Sequence, residues 1–200
     1  HRRRHSFPTR RSSDLVHTDV YDRFAELFTA RMAASVMGDP MDPNTVIGPL
    51  ATESGRDEVA ELVKDAVAKG AKLLTGGVVP DQPGWWYPPT VLADLPDDAL
   101  LVMEEAFGPV AALYRAKDVS DAIRIANQTR FGLSSAVWTN NADEEQQCID
   151  QLDAGAVFIN GITASYPELP FGGVKASGYG RELAAVGMRE FTNLKTVWKG

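Results

Sequence analysis

Two short segments carry the residue types and spacings that could take part in chemistry. The first, MEEAFGP at residues 103–109, places two adjacent carboxylates ahead of an aromatic ring, a glycine and a proline. Neighbouring carboxylates on a helix project in different directions, so Glu104 and Glu105 cannot form an acid/base pair on one face. Taken alone, such a pair is typical of solvated helix charge. The FGP sequence that follows stops a helix and holds an aromatic ring at the start of a strand, and ligand crevices of α/β sheets form at strand ends.

The second segment, PFGGVKASGYGRE at residues 170–182, holds four glycines and a lysine ahead of a predicted helix. Its spacing matches neither G-x-G-x-x-G after a strand nor G-x-x-x-x-G-K-[ST], so the pattern is a weak indication of a phosphate-binding loop. We expect the glycines to let the backbone turn tightly and pack closely. For Phe171, one interpretation is an ordinary core aromatic.

The single cysteine, Cys148, is predicted to be structural. It lies in the middle of a predicted helix, DEEQQCIDQL, close to Glu145 and Asp150. Nearby carboxylates raise the pKa of a thiol, and no histidine or lysine is close in the sequence to lower it. The chain therefore offers no catalytic residue that we can name.

Composition limits the class of protein. With 200 residues, 44% hydrophobic and 24% charged, the chain can bury one sizeable core. A net charge of -7 argues against nucleic acid as a partner, and no apolar run approaches the roughly 18 residues that span a membrane. One cysteine favours a reducing, cytoplasmic setting. The histidines lack metal-ligand spacing, which predicts no metal site; they are His1, His5 and His17.

Helix and strand patterns alternate along most of the chain. This alternation predicts an α/β fold, a mostly parallel sheet with helices on both faces. Predicted helices cover residues 20–38, 51–70, 97–105, 119–127 and 143–152; predicted strands cover residues 71–75, 90–93, 110–114, 133–138, 156–160 and 194–200.

Residues 1–15, HRRRHSFPTRRSSDL, differ from the rest of the chain. They contain five arginines and no apolar stretch of the kind that a secretory signal needs. We interpret them as a non-native basic leader; a basic arm that binds an acidic partner is the alternative.

Both chemistry-bearing segments resemble signatures of the NAD(P)-dependent aldehyde dehydrogenase superfamily, and the resemblance runs from about His17 to the last residue. It implies that residues 16–190 are part of a catalytic domain and that residues 191–200 form a strand that joins subunits of a homo-oligomer. It also implies that the nucleotide-binding segments, the general-base glutamate and the nucleophilic cysteine lie upstream. The chain is then a C-terminal fragment that is inactive alone, from an enzyme that uses NAD or NADP.

The resemblance also implies roles for single residues. Glu105 would hydrogen-bond the nicotinamide ribose, Phe107 would contact the nicotinamide, and Phe171 would line the aldehyde tunnel. The loop GITASYPEL at residues 161–169 would select the aldehyde, and in it the Ser165 hydroxyl can donate to a substrate carboxylate.

The substrate itself is suggested by a longer stretch of sequence. FINGITASYPELPFGGVKASGYGREL looks most like the succinate-semialdehyde dehydrogenases of the superfamily, so we expect succinate semialdehyde as the small-molecule substrate. The alternatives are another aldehyde specificity, or a noncatalytic module that binds a partner strand through the edge of residues 194–200.

Overall fold

The computed structural model describes residues 13–200, which form two compact units that meet in sequence after Asp118. The first unit contains β1 Ser13–His17, α1 Thr18–Ala33, α2 Glu53–Ala68, β2 Lys72–Thr75, β3 Thr90–Ala93, α3 Leu100–Met103 and β4 Val110–Ala116. The second contains α4 Val119–Asn127, β5 Phe131–Gly132, β6 Ser135–Val137, α5 Ala142–Gln151, β7 Val157–Ile159, β8 Val174–Lys175 and α6 Ala184–Arg189.

A four-stranded sheet organises the first unit. Its strand order is β1-β4-β3-β2, in which β1 and β3 both run parallel to β4 and only β2 is antiparallel. Thr90 is in register with Val110, so β3 and β4 begin at the same edge. The predicted mostly parallel sheet is confirmed. Of the predicted leader, residues 1–12 lie outside the described part of the chain, and residues 13–15 belong to β1.

Side chains alternate across the sheet and bury both of its faces. Val91 and Leu113 pack in one cluster with residues of α1, whereas their neighbours Leu92 and Ala112 pack in another with residues of α2. Successive residues of a strand point to opposite faces, so each strand supplies both clusters. The predicted helices on both faces are therefore confirmed for this unit.

Helix α3 is shorter than the predicted helix at residues 97–105. It begins at Leu100, whose N–H donates to the Asp65 carboxylate of α2 at 2.8 Å, and it ends at Met103. That N–H, followed by the Lys69 ammonium, lowers the pKa of Asp65. Glu104 already has extended backbone angles, φ -103° and ψ 151°. Glu105 consequently lies after the helix and not on it.

Two small pairs of strands organise the second unit. β6 and β7 are parallel, with α5 connecting them, and β5 pairs with β8 in antiparallel fashion over two residues each. Residues 194–200 form no strand within the described part of this chain, and Leu194 and Trp198 are exposed. Pairing of this tail with a second subunit stays a prediction.

Candidate functional site

A segment without regular secondary structure, between α3 and β4, carries Glu105 and Phe107. Between them, Ala106 is buried in the core cluster that contains α2, while Phe107 is 54% exposed and Glu105 is half-buried. Glu105 and Phe107 thus keep surface that solvent can reach on either side of Ala106, which anchors the segment in the core.

The FGP sequence fixes this segment to the core. A Cβ added to Gly108 would lie 2.9 Å from the Val59 Cγ2 atom, closer than real Cβ atoms approach, so only glycine fits here. The next residue, Pro109, accepts the N–H of Thr90 through its carbonyl oxygen at 2.8 Å. The aromatic ring of Phe107 is thus presented from a backbone held on both sides.

The position of this segment relative to the sheet could not be read from the sequence. It enters at the amino end of β4, the edge at which β3 also begins. Ligands of open α/β sheets bind outside the carboxyl ends of the strands. The sheet alone therefore does not predict a cofactor site at Glu105 and Phe107, and that assignment depends on their exposure and on the sequence motif.

In the second unit, the glycine-rich segment closes on itself. Phe171 and Glu182 exchange two backbone hydrogen bonds, of 2.8 and 2.7 Å. Arg181 supports the closure from inside, because its Nη1 donates to the carbonyl oxygens of Gly173 at 2.7 Å, Gly180 at 3.0 Å and Tyr179 at 3.2 Å. These hydrogen bonds therefore fix the backbone that carries the half-buried Phe171 ring.

Lys175 and the glycines of this segment are used for structure. The Lys175 ammonium donates to the carbonyl oxygen of Asn127 at 3.0 Å and pairs with the Asp153 carboxylate at 3.0 Å. A Cβ added to Gly155 would overlap the carbonyl oxygen of Gly172, which shows how closely the two backbones approach. The predicted close packing is confirmed for Gly172 and Gly173 but not for Gly178 and Gly180, where an added Cβ would meet nothing within 4 Å. The lysine has no role here that resembles phosphate binding.

The loop at residues 161–169 leaves the carboxyl end of β7, beside the parallel end of β6. Ser165 is exposed on this loop. Next to it, the Tyr166 ring lies 6.5 Å from the Phe158 ring, centroid to centroid, and holds the loop against β7. The structure thus places Ser165 and Phe171 on neighbouring segments of the second unit, whereas Glu105 and Phe107 belong to the first.

Cys148 is buried, with 5% of its surface exposed, on helix α5. Burial raises the pKa of its thiol, and the carboxylate of Glu144 adds to the effect. The predicted direction is confirmed, although burial is the larger cause and the carboxylate concerned is not one of the two that the sequence suggested. A thiol in this setting is mostly protonated at neutral pH and is a poor nucleophile.

The sequence patterns did not identify two residues that hold these loops. Asn160, directly after β7, bonds the backbone of Thr139 through its side-chain amide, and Arg181 bonds three carbonyl oxygens. An asparagine that ends an apolar strand is a weak signal for a left-handed residue, which asparagine tolerates better than most. No sequence pattern marks the arginine.

Neither a metal centre nor a membrane span is found in the described residues. No cluster of three or more histidine, cysteine, aspartate or glutamate side chains among residues 13–200 could hold a metal ion. Within the same range no helix has the length and apolar character needed to cross a membrane.

Comparison with known proteins gives consistent matches. The model of the aldehyde dehydrogenase family matches residues 9–197. The succinate-semialdehyde dehydrogenase [NADP(+)] of Mycobacterium avium is 61% identical over 186 residues, which cover 93% of this chain and 39% of the relative.

Two solved structures are similar to this chain at the level of the fold. The succinic semialdehyde dehydrogenase of Streptococcus pyogenes in complex with NADP+ superposes with a TM-score of 0.89 at 37% identity, over 94% of this chain and 41% of that one. A betaine aldehyde dehydrogenase double mutant of Staphylococcus aureus in complex with NAD+ gives a TM-score of 0.85 at 31% identity, over 90% and 37%. The chain spans about two fifths of the length of these proteins.

Proposed function

Because this chain belongs to the aldehyde dehydrogenase family, we propose that it forms part of the catalytic domain of an NADP-dependent succinate-semialdehyde dehydrogenase. The observation that carries the proposal is the 61% identity, over 93% of the chain, with a relative of that name. The sequence left NAD and NADP open. The names of that relative and of the Streptococcus pyogenes structure favour NADP.

The reaction converts succinate semialdehyde, water and NADP+ into succinate, NADPH and two protons. Bound NADP+ supplies the hydride acceptor. Within this chain, the Glu105 carboxylate would accept hydrogen bonds from the nicotinamide ribose, and the Phe107 ring would contact the nicotinamide. The exposure of Phe107 and the buried Ala106 between the two residues fit this role, because a backbone anchored in the core cannot shift easily.

Substrate selection belongs to the second unit. We assign the Ser165 hydroxyl to the carboxylate of succinate semialdehyde and the Phe171 ring to the wall of the aldehyde tunnel. An exposed hydroxyl on a loop can donate to a carboxylate, and such a charge-assisted bond is stronger than a neutral one. The backbone that carries the Phe171 ring is kept in place by Arg181 and by the backbone hydrogen bonds with Glu182.

The nucleophile of the reaction is not Cys148. Its thiol is buried and has a raised pKa, whereas a catalytic thiolate needs an exposed setting that lowers the pKa. We therefore place the nucleophile and the general base in the part of the family that this chain does not span, and expect no turnover from the chain alone. A homo-oligomer joined through residues 191–200 and a cytoplasmic location belong to the same proposal.

The substrate assignment is tested in the full-length enzyme with Ser165→Ala. We expect kcat/KM for succinate semialdehyde to fall about tenfold, the effect of one lost hydrogen bond to a charged group. Turnover of butanal, an uncharged aldehyde of the same length, should change by less than about twofold. Steady-state kinetics with both aldehydes measures the difference.

The matched control is Thr163→Ala, which removes a half-buried hydroxyl from the same loop. It should leave the ratio of the two kcat/KM values unchanged. Equal losses on both aldehydes in Ser165→Ala would mean that Ser165 only shapes the loop. A wild-type enzyme with no preference for the acidic aldehyde would favour another specificity, as in the betaine aldehyde dehydrogenase that shares the fold.

A further inference from the structure

Asn160 has an unusual backbone conformation at the point where the substrate loop begins. It follows the last residue of β7 and has φ +50°. Residues other than glycine seldom adopt this left-handed conformation, although asparagine does so more readily than most. The chain turns at Asn160 and enters the loop that carries Ser165, so the conformation of this residue sets the direction of the loop.

Three hydrogen bonds join Asn160 to the last residue of β6 and to the segment that follows it. Its backbone N–H donates to the carbonyl oxygen of Val137 at 2.7 Å. Its side-chain Oδ1 accepts the N–H of Thr139 at 3.1 Å, and its Nδ2 donates to the Thr139 carbonyl oxygen at 2.9 Å. The amide therefore satisfies both backbone groups of one residue on the neighbouring strand end, an arrangement that fixes its plane as well as its position.

Thr139 is itself held by the start of helix α5. Its hydroxyl donates to the Glu144 carboxylate at 2.6 Å and accepts the N–H of Asn141 at 3.1 Å. Asn141 in turn caps α5 by accepting the N–H of Asp143 at 2.9 Å. A continuous set of hydrogen bonds thus connects the helix start with Asn160, the residue directly before the loop.

The location of this network suggests a role in binding. It lies at the carboxyl ends of the parallel strands β6 and β7, the edge of an α/β sheet where ligands bind. Residues held in sparsely populated backbone conformations concentrate at such sites, because the surrounding structure has to impose them.

We propose that Asn160 is a positioning residue for substrate selection: through its bonds to Thr139 it aims the loop of residues 161–169 so that Ser165 meets the substrate carboxylate. This inference rests on the function proposed for that loop. Asn160 acts on the substrate only through the loop, so its loss affects recognition of the carboxylate more than the chemical step.

The test is a series of variants in the full-length enzyme. Asn160→Gly keeps the left-handed backbone available but removes the amide, so it separates the side-chain bonds from the conformation. We expect KM for succinate semialdehyde to rise about tenfold while kcat changes by less than about twofold, with the KM for butanal unchanged. Thr139→Val removes the hydroxyl one step further away and should raise the same KM by about threefold. Thr139→Ser keeps the hydroxyl and is the matched control, with no expected change.

A second measurement does not depend on activity. Amide hydrogen exchange of residues 161–169 should become faster in Asn160→Gly, with the temperature of thermal unfolding unchanged. Unchanged exchange and unchanged KM in this variant would overturn the positioning role. If the wild-type enzyme shows no preference for succinate semialdehyde over butanal, the proposed function fails instead, and hydrogen exchange alone then decides whether Asn160 orders the loop.

Discussion

The two units of this chain are stabilised in different ways. In the first, a sheet with both faces covered buries Val91, Leu92 and Leu113 completely. In the second, the buried apolar side chains among the described residues are Ile123 and Cys148, and order comes largely from side-chain bonds to the backbone and from close glycine contacts. A core made of many contacts tolerates the loss of any surface group, whereas loops held by single hydrogen bonds depend on each of them.

The same contrast separates the proposed roles. The candidate cofactor residues, Glu105 and Phe107, lie on a segment that is fixed by the core of the first unit. The candidate substrate residues, Ser165 and Phe171, lie on loops of the second unit. Loops carry specificity in many folds because they change without disturbing the core. We therefore expect substitutions in the first core to act on stability, and substitutions in the loops of the second unit to act on selection.

The largest effect is expected in the sheet. Leu92→Ala removes a side chain with no exposed surface from the middle of β3 and should lower the free energy of unfolding by about 2–5 kcal/mol. Leu74→Ala, at a position 39% exposed on β2, is the control and should cost less than about 1.5 kcal/mol. Urea denaturation measures both values, and similar losses in the two variants would contradict the comparison.

The second largest effect that we expect is a loss of stability at alkaline pH, caused by Tyr87. Burial raises the pKa of Tyr87 from 10.0 to about 12, against a smaller lowering by the neighbouring Thr90. Between these two pH values the unfolded chain has lost the phenolic proton and the folded chain has kept it. Stability is therefore full below pH 10 and falls as the pH rises towards 12, by about 2–3 kcal/mol.

The control for this decline is Tyr87→Phe, which removes the titrating group and should flatten that part of the profile. Tyr179→Phe, at a position 85% exposed, should leave the decline as it is. An identical alkaline decline in wild type and Tyr87→Phe would mean that other groups cause it.

A glycine contact in the second unit gives a smaller effect. Gly155→Ala would place a Cβ against the carbonyl oxygen of Gly172, and we expect it to lower the free energy of unfolding by about 1–3 kcal/mol. Gly180→Ala is the control, because a Cβ there meets nothing within 4 Å. If both variants are equally stable, close backbone packing does not hold this unit together.

Apolar periodicity predicted much of the fold. The helix at Val119–Asn127 and the strand at Thr90–Ala93 have the predicted bounds, because their apolar spacing is regular and turn residues flank them. The start of α3 could not be predicted in this way, since it is set by a hydrogen bond between Leu100 and Asp65, which is 35 residues away. The two-residue strands β5 and β8 are too short to show any period.

The candidate site was predicted only in part. The motifs identified Glu105, Phe107, Ser165 and Phe171, and their roles stay predictions. Asn160 and Arg181 were missed because their bonds go to backbone atoms, which every residue has, so no pair of residue types records them in the sequence. Close packing of the glycines was expected, but which backbones meet could be seen only in the structure.

We propose that this chain contacts the cofactor through one unit and selects the aldehyde through the other. The most direct test measures the KM for NADP+ and the ratio of kcat/KM for succinate semialdehyde and butanal in Glu105→Gln and Ser165→Ala of the full-length enzyme. We predict that Glu105→Gln weakens a charge-assisted hydrogen bond, raises the KM for NADP+ by about tenfold, and leaves the aldehyde ratio unchanged. Ser165→Ala should change only the ratio, by about tenfold. Two variants that alter both quantities alike, or neither, would contradict the division of roles.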